Sequence, residues 1–506
     1  MNNKEDINPI TLEALEIQDT SFSSQRKTSF RGDVLKIAFG TTFAQALVIL
    51  ASPFLTRLYS PEAFGVLALF SSITSIIIVI SCMRYEFSIL LPKSDKEAAN
   101  LLGVSLIFVT LISILTIPGI WWGRGVFLHW LNAPALAPYL WLIPPAVFIG
   151  GAFLALNYWN SRTKRFTRLS VARVTSSVTT VSAQLGAGYA GYATGGSLIG
   201  ASVAGQAVSA VVLGGQIWRD DRKLLRESIH WQDMISGLRR HRKFPIYTTW
   251  AALLNTMSWQ LPVVLLSAFF SPIIVGYYAL GFRILQMPMN LIGSALGQVF
   301  SQRAAEAQNK KALTPLVENV FRKLIMVGLF PMFMLTIVGR DLYSTVFGPN
   351  WAEAGVYTQI LSIWALVWFI SSPLATLFNV LEKQEFLLKL NIVIFASRLL
   401  SLGIGGYLGN ARLAILLFSI SGIVLYGYLN LFIMKSAGVL WSKIANIVLK
   451  NILFSLPFII IQIWVTIISP NRLLRLSVAA VLSLFYFFPL LIKQLNSLRW
   501  TRVSRS

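Results

Sequence analysis

Apolar runs of about 20 residues recur along almost the whole chain, and that is the length an α-helix needs to cross a hydrocarbon core of roughly 30 Å. Alternating strand-like segments of about ten residues, the mark of an outer-membrane barrel, do not occur. Of the 506 residues, 12% are charged and 55% hydrophobic, and mean hydropathy is +0.66. A soluble domain carries about 25% charged residues to solvate its surface. The chain is therefore expected to be an all-α membrane protein whose surface mostly faces lipid.

The expected spans are about fourteen. The first six are 34–56, 63–83, 98–121, 139–160, 169–190 and 196–217. The next six are 245–269, 273–300, 322–340, 355–380, 390–408 and 412–434, and the last two are 448–468 and 473–492. Aromatic pairs such as Trp121-Trp122, Tyr158-Trp159 and Tyr277-Tyr278 fall near span ends, as interfacial anchors do. The first 30 residues are polar and lack the apolar core of a cleaved signal peptide. They read as a disordered cytoplasmic tail, with the first span as the targeting signal.

Lys and Arg divide sharply between the two sides. With the N-terminus inside, 35 of the 43 lie in cytoplasmic segments. Six lie opposite: Arg57, Arg124, Arg340, Arg412, Arg472 and Arg475; Arg283 and Arg398 lie within spans. The positive-inside rule then sets both termini in the cytoplasm. The net charge of +23 comes from short basic stretches, Arg162 to Arg168, Arg219 to Arg226 and Arg239 to Lys243, each abutting a span. Such stretches meet anionic headgroups and leave no role for nucleic acid.

An internal repeat divides the chain. Ser60-Pro61, Gly65 and Ala68-Leu69 reappear 211 residues later as Ser271-Pro272, Gly276 and Ala279-Leu280. Both copies open the helix after an odd-numbered span, so the halves have equal orientation, an arrangement that sets substrate at the interface between lobes. The expected organisation is a tail over 1–33, an N-terminal lobe over 34–217 and a basic cytoplasmic linker over 218–244. A C-terminal lobe over 245–435, two further helices over 436–492 and a basic tail over 493–506 follow. Within the linker, 223–238 fits an amphipathic surface helix with Leu224, Leu225, Ile229, Trp231 and Ile235 as its apolar residues.

Ionisable groups at membrane depth need an interior, wet or paired setting. Arg283 lies about ten residues into its span, about 15 Å deep. Gln286, Asn290, Ser294 and Gln298 follow it on one face. That stripe fits the wall of a hydrated, anion-attracting cavity; the bland alternative is interhelical bonding. Arg398 is expected to face the lumen. Arg84 and Glu86 fit either the cavity or a snorkelling pair at the cytoplasmic interface. Gln45 shares a face with Thr41, Ser52 and Thr56, a pattern that also serves simple helix packing.

Other chemistry is poorly supplied. Cys82, the one cysteine, lies in an apolar stretch and reads as a packing residue. His129, His230 and His241 lack metal-ligand spacing. No carboxylate is expected deep in a span, so a proton or sodium relay has no obvious seat. No external loop is long enough for a catalytic domain, and neither a metal nor an organic cofactor is expected; the chain does not read as an enzyme.

Several segments resemble the bacterial polysaccharide (oligosaccharide) flippases of the multidrug/oligosaccharidyl-lipid/polysaccharide exporter superfamily. They are residues 55–65, Arg84-Tyr85-Glu86 with Leu91-Pro92, and Gly297-Gln298-Val299-Phe300 running into Gln302-Arg303-Ala304-Ala305-Glu306. Trp351, Glu353-Ala354-Gly355 and Ser372-Pro373-Leu374 are similar to the same family, so the likeness extends over about 34–435. It implies two six-helix lobes around a cationic cavity open to one side at a time, plus two C-terminal helices. The implied cargo is an undecaprenyl-diphosphate-linked oligosaccharide carried from the cytoplasmic to the periplasmic leaflet of the inner membrane. Membrane lipids, a polysaccharide polymerase and other assembly proteins are the implied partners. A lipid II flippase and a cation-coupled multidrug antiporter are the rival readings within the superfamily. A membrane polysaccharide polymerase or glycosyltransferase, a rival from another class, lacks the loop or acidic cluster it would need.

Overall fold

The computed structural model describes residues 30–289, 293–309 and 312–503, with side chains from 40 to 488 apart from a few near 290–311. The tail expected over 1–33 lies, for residues 1–29, outside the described residues. All regular structure among the described residues is helical. The N-terminal half comprises α1 (Phe30–Leu58), α2 (Pro61–Ser81), α3 (Asp95–Trp130), α4 (Ile143–Arg162), α5 (Phe166–Tyr189) and α6 (Gly195–Ser228). A short α7 (Trp231–Arg240) leads into α8 (Thr249–Phe269), α9 (Pro272–Pro288), α10 (Ser294–Asn309), α11 (Leu313–Val346) and α12 (Ala352–Leu374). Then come α13 (Gln384–Tyr407), α14 (Ala411–Ser436), α15 (Trp441–Ile468) and α16 (Arg472–Val503). Among the described residues, eleven helical segments are long and apolar enough to cross a bilayer; of the fourteen expected, α5, α9 and α16 are not in that group.

Local chemistry sets the helix ends. The Ser60 hydroxyl accepts from Ala63 N (3.2 Å) and Pro61 opens α2, where its missing N–H costs nothing. Thr194 and Ser197 form a capping box on α6, and Asn410 caps α14 through Leu413 N at 3.0 Å. The third span outruns its expected limit of residue 121. Gly123 and Gly125 do not stop it, and α3 continues to Trp130.

The two halves repeat one packing scheme. In the first, α1 packs on α5, α5 on α6, and α4 on α2, α3 and α6. In the second, α8 packs on α13, α13 on α14, and α12 on α9, α11 and α14. These are two pseudo-symmetric six-helix lobes, with α9 and α10 sharing the eighth span. The central helix of the second lobe is its most buried, 61% over its best window, against 17% for α15. The last two helices pack on α11, where Tyr486 stacks on Phe330 and donates to Met326 O at 3.0 Å.

Helix α2 joins the lobes by packing on α8 and α9. The repeated motif sits at this crossing. A Cβ on Gly65 would overlap the Pro272 carbonyl, and one on Gly276 would overlap the Pro61 carbonyl. Each glycine lets the other lobe's backbone approach. Trp351 Nε1 donates to Thr56 O (2.8 Å), Ser267 Oγ to Leu131 O (2.6 Å) and Asn132 Nδ2 to Phe270 O (2.6 Å). Among the described residues, side-chain hydrogen bonds between lobes run from the α1–α2 turn side to mid-bundle, where Ser72 Oγ donates to Gln260 Oε1 at 2.8 Å.

The linker departs from expectation. One amphipathic helix over 223–238 is replaced by two: α6 runs to Ser228, and α7 starts at Trp231. The Asn100 amide holds the break, donating to Ser228 O (2.7 Å) and accepting from His230 N (2.9 Å). Met234 and Leu225 are buried against α3, whereas Trp231 is 66% exposed. The basic stretches also bind protein. Arg162 donates to Ile89 O (3.0 Å) and Pro92 O (2.8 Å) and pairs with Asp95, while Arg165 and Arg168 pair with Asp220.

Candidate functional site: a cationic cavity between the lobes

A cavity of about 740 Å³ lies between the lobes, walled by α1, α2, α4, α5, α6 and α9. Arg283 and Gln286 reach it from α9, and Thr41 and Gln45 from α1. Beside α1, and across from α9, the wall carries Arg173, Ser176 and Ser177 of α5 with Gln206 and Ser209 of α6. A second space of about 320 Å³ shares Val48, Gln206 and Arg283 and extends toward the α1–α2 turn, alongside Leu55 and Phe64. Arg283 thus stands where the two spaces meet, below the closed seam of Gly65 and Gly276.

The cavity is basic. None of the described residues that line it is acidic. Arg173 donates to Thr41 Oγ1 at 2.6 Å, which braces the guanidinium and leaves other N–H groups free. Arg283 has no hydrogen bond or ion pair among the described residues. A half-buried cation without a protein partner fits an anion or water as its counterpart. Amides and hydroxyls beside the two guanidinium groups can bond a polyhydroxylated ligand, and the two Arg forks suit phosphate oxygens.

Not every expected residue reaches this place. Asn290 lies outside the described residues, as does the side chain of Gln298. Arg398, expected to face the lumen, is instead enclosed within the second lobe at 3% exposure. Its Nη1 donates to Ser258 O (2.7 Å) and Oγ (2.9 Å), and its Nη2 to Tyr426 OH (3.2 Å). The guanidinium lies 4.3 Å over the Trp259 ring. These partners satisfy the charge locally, and it cannot reach the lumen.

Arg84 and Glu86 are neither at the cavity nor snorkelling. They belong to the α2–α3 connection, where Tyr85–Ser88 forms one helical turn. Arg84 adopts φ +61° and contacts Glu86 at 3.3 Å. The Glu86 side chain is fully buried beside Cys82 and Tyr85, so burial pushes its carboxyl above the usual carboxylate range. On α1, Thr41 and Gln45 separate from Ser52 and Thr56. The latter two bond their own helix at Val48 O and Pro53 O.

Sequence reasoning missed Arg173, Gln206 and the serines of α5. Arg173 lies four residues into its span, so counting charges by side absorbed it into the cytoplasmic set. A signal was present: α5 is the span most diluted by Ser, Thr and Gln, and the polarity that keeps it out of the apolar group belongs to a cavity wall.

Two like-oriented six-helix lobes around a basic cavity define a two-lobed, all-helical membrane protein. The family described as "Polysaccharide biosynthesis protein" matches residues 54–356, about three-fifths of the chain, and the protein belongs to that family. Solved structures share the fold at low identity. The "Lipid II flippase MurJ, inward closed conformation" is 14% identical with a TM-score of 0.70, covering 90% of this chain and 99% of its own. An inward-facing multidrug resistance MATE family transporter is 15% identical with a TM-score of 0.62, covering 78% and 94%. A MATE transporter from Vibrio cholerae, VcmN, is 14% identical with a TM-score of 0.52, covering 80% and 95%. No curated protein matches the chain by sequence.

Proposed function

We propose that the protein is a flippase that carries an undecaprenyl-diphosphate-linked oligosaccharide from the cytoplasmic to the periplasmic leaflet, for surface polysaccharide assembly. The observation that carries this reading is the pair of guanidinium groups, Arg173 from one lobe and Arg283 from the other, that line one cavity with no acidic residue among its described lining. A diphosphate brings at least two negative charges, and Arg forks bind phosphate oxygens in pairs. Gln45, Gln206 and Gln286 supply amides for sugar hydroxyls, while the polyprenyl chain stays in the bilayer. The lobes alternate access: the seam at Gly65 and Gly276 is shut here, and transport needs it to part while the opposite side closes. In this reading the membrane is a bacterial inner membrane, and the positive-inside count favours the shut seam on its periplasmic side with both termini cytoplasmic. Lobe limits at 34–217 and 245–435, with 436–492 as an appended pair, belong to the same proposal. A polymerase and other assembly proteins are the proposed downstream partners.

The decisive assay follows the leaflet of a lipid-linked oligosaccharide in inverted vesicles with and without the protein. Protein-dependent movement into the lumen, lost in Arg283→Ala and Arg173→Ala variants that insert normally, supports the reading. Movement of lipid II instead would reassign the cargo. Movement of a cationic dye with the glycolipid left in place would make the protein an antiporter.

A further inference from the structure

A third space is walled by α2, α3 and α4 of the first lobe and by Met257 and Val264 of α8 in the second. Its volume is about 430 Å³. Thr116 and Arg124 are its only polar lining residues, and the Thr116 hydroxyl already donates to Ser113 O at 2.6 Å. The trough therefore has apolar walls with one cation. Water does not fill such a space; in a bilayer, hydrocarbon does.

Two glycines shape it. A Cβ on Gly119 or Gly123 would meet nothing within 4 Å, so neither is required for helix packing, unlike Gly65 and Gly276. Their missing side chains leave the trough open along α3. From Thr116 to Arg124 the helix rises about 12 Å, most of the roughly 15 Å of hydrocarbon in one leaflet. At the shallow end, Trp121, Trp122 and Trp130 are exposed, as interfacial anchors are. Arg124 stands among them, exposed and without a hydrogen bond or ion pair among the described residues. Four of the other arginines on that side are tied down, Arg57 to Pro53 O, Arg412 to Glu353, Arg472 to Ser344 and Arg475 to Asp341, while Arg340 is exposed like Arg124 but does not line the trough.

We infer that this trough is a binding site for one anionic glycerophospholipid of the leaflet on the α1–α2 turn side. An acyl chain lies along Ile73, Ile77, Gly119 and Gly123, and the phosphate meets Arg124. A single-leaflet depth suits an ordinary acyl chain better than the longer polyprenyl chain of the proposed cargo. The site spans both lobes and lies apart from the cationic cavity, so it does not depend on what the cavity carries.

Native mass spectrometry of the purified full chain tests it, with phosphatidylglycerol, phosphatidylcholine and undecaprenyl phosphate as probes. The wild type should retain a discrete phosphatidylglycerol adduct in preference to phosphatidylcholine. Arg124→Gln should weaken that adduct about fivefold, the worth of one Arg toward an anionic lipid, and leave phosphatidylcholine unchanged. Gly119→Leu and Gly123→Leu should remove both adducts without lowering the unfolding temperature, since both positions face open space. Unchanged phosphatidylglycerol retention in the Arg124 and glycine variants would overturn the site. Displacement of phosphatidylglycerol by undecaprenyl phosphate at equal concentration would overturn the occupant.

Discussion

Arg283, Arg173 and Arg398 carry the same charge within membrane helices and have different surroundings. Arg398 is held by Ser258, Tyr426 and the Trp259 ring, whereas Arg283 faces open space. Replacing Arg398 with Gln should lower stability by about 1–3 kcal/mol, because buried acceptors lose their donor. Transport per folded molecule should survive, as measured by unfolding in detergent beside the vesicle assay. Gln at Arg283 or Arg173 should do the reverse: normal unfolding, with transport down roughly 10–100-fold for a lost charge-assisted bond. Glu86 makes a pH prediction. Its carboxyl is raised by burial, so the folded state holds the proton more tightly than the unfolded one. Stability is then greatest at low pH and falls as pH rises from the ordinary carboxylate value of 4.5 through the raised one. A Glu86→Gln variant should flatten that limb of the unfolding-temperature profile; an unaltered profile would mean that the carboxylate is compensated in place.

At the scale of the element, the α2–α9 crossing matters most. Both helices open with Pro, and each offers Gly to the other's first carbonyl. A side chain there must push backbone, not a rotamer. Gly65→Leu should therefore part the seam and expose the smaller space beyond it. Ser71, which lines that space, provides the readout as a single cysteine in a Cys82→Ser background. Its labelling by an impermeant maleimide from the α1–α2 turn side should accelerate in the Gly65→Leu variant. An unchanged rate would mean that the crossing does not govern access. The linker shows local and tertiary forces in competition. Residues 223–238 have helical periodicity, but the Asn100 amide stabilises a break at Ile229 by bonding both sides of it, and burial then selects Met234 over Trp231.

At the scale of the molecule, the lobes are joined on one face and hold the cavity in the other half. This asymmetry makes the orientation in the membrane testable. Impermeant thiol reagents on whole cells should label cysteines at Tyr192 and Leu408, which are exposed beside the α5–α6 and α13–α14 turns. A cysteine at Leu440, exposed before α15, should react only after lysis. Labelling in the opposite pattern would invert the proposed topology and the direction of transport with it.

The repeat and the membrane class were legible from sequence because hydrocarbon imposes one-dimensional rules. Crossing requires length and apolarity, and two copies of a motif at one offset require similarly built halves. The position of Arg283 on the cavity wall was legible too, since a polar stripe on one face of a span needs a polar space to meet. Other features were set by partners distant in the chain. Arg398 could be read as enclosed only once Ser258 and Tyr426 were beside it, 140 and 28 residues away. Arg173 could be read as cavity-lining only once α5 was seen facing α9. Periodicity says which residues share a face; only packing says which faces meet.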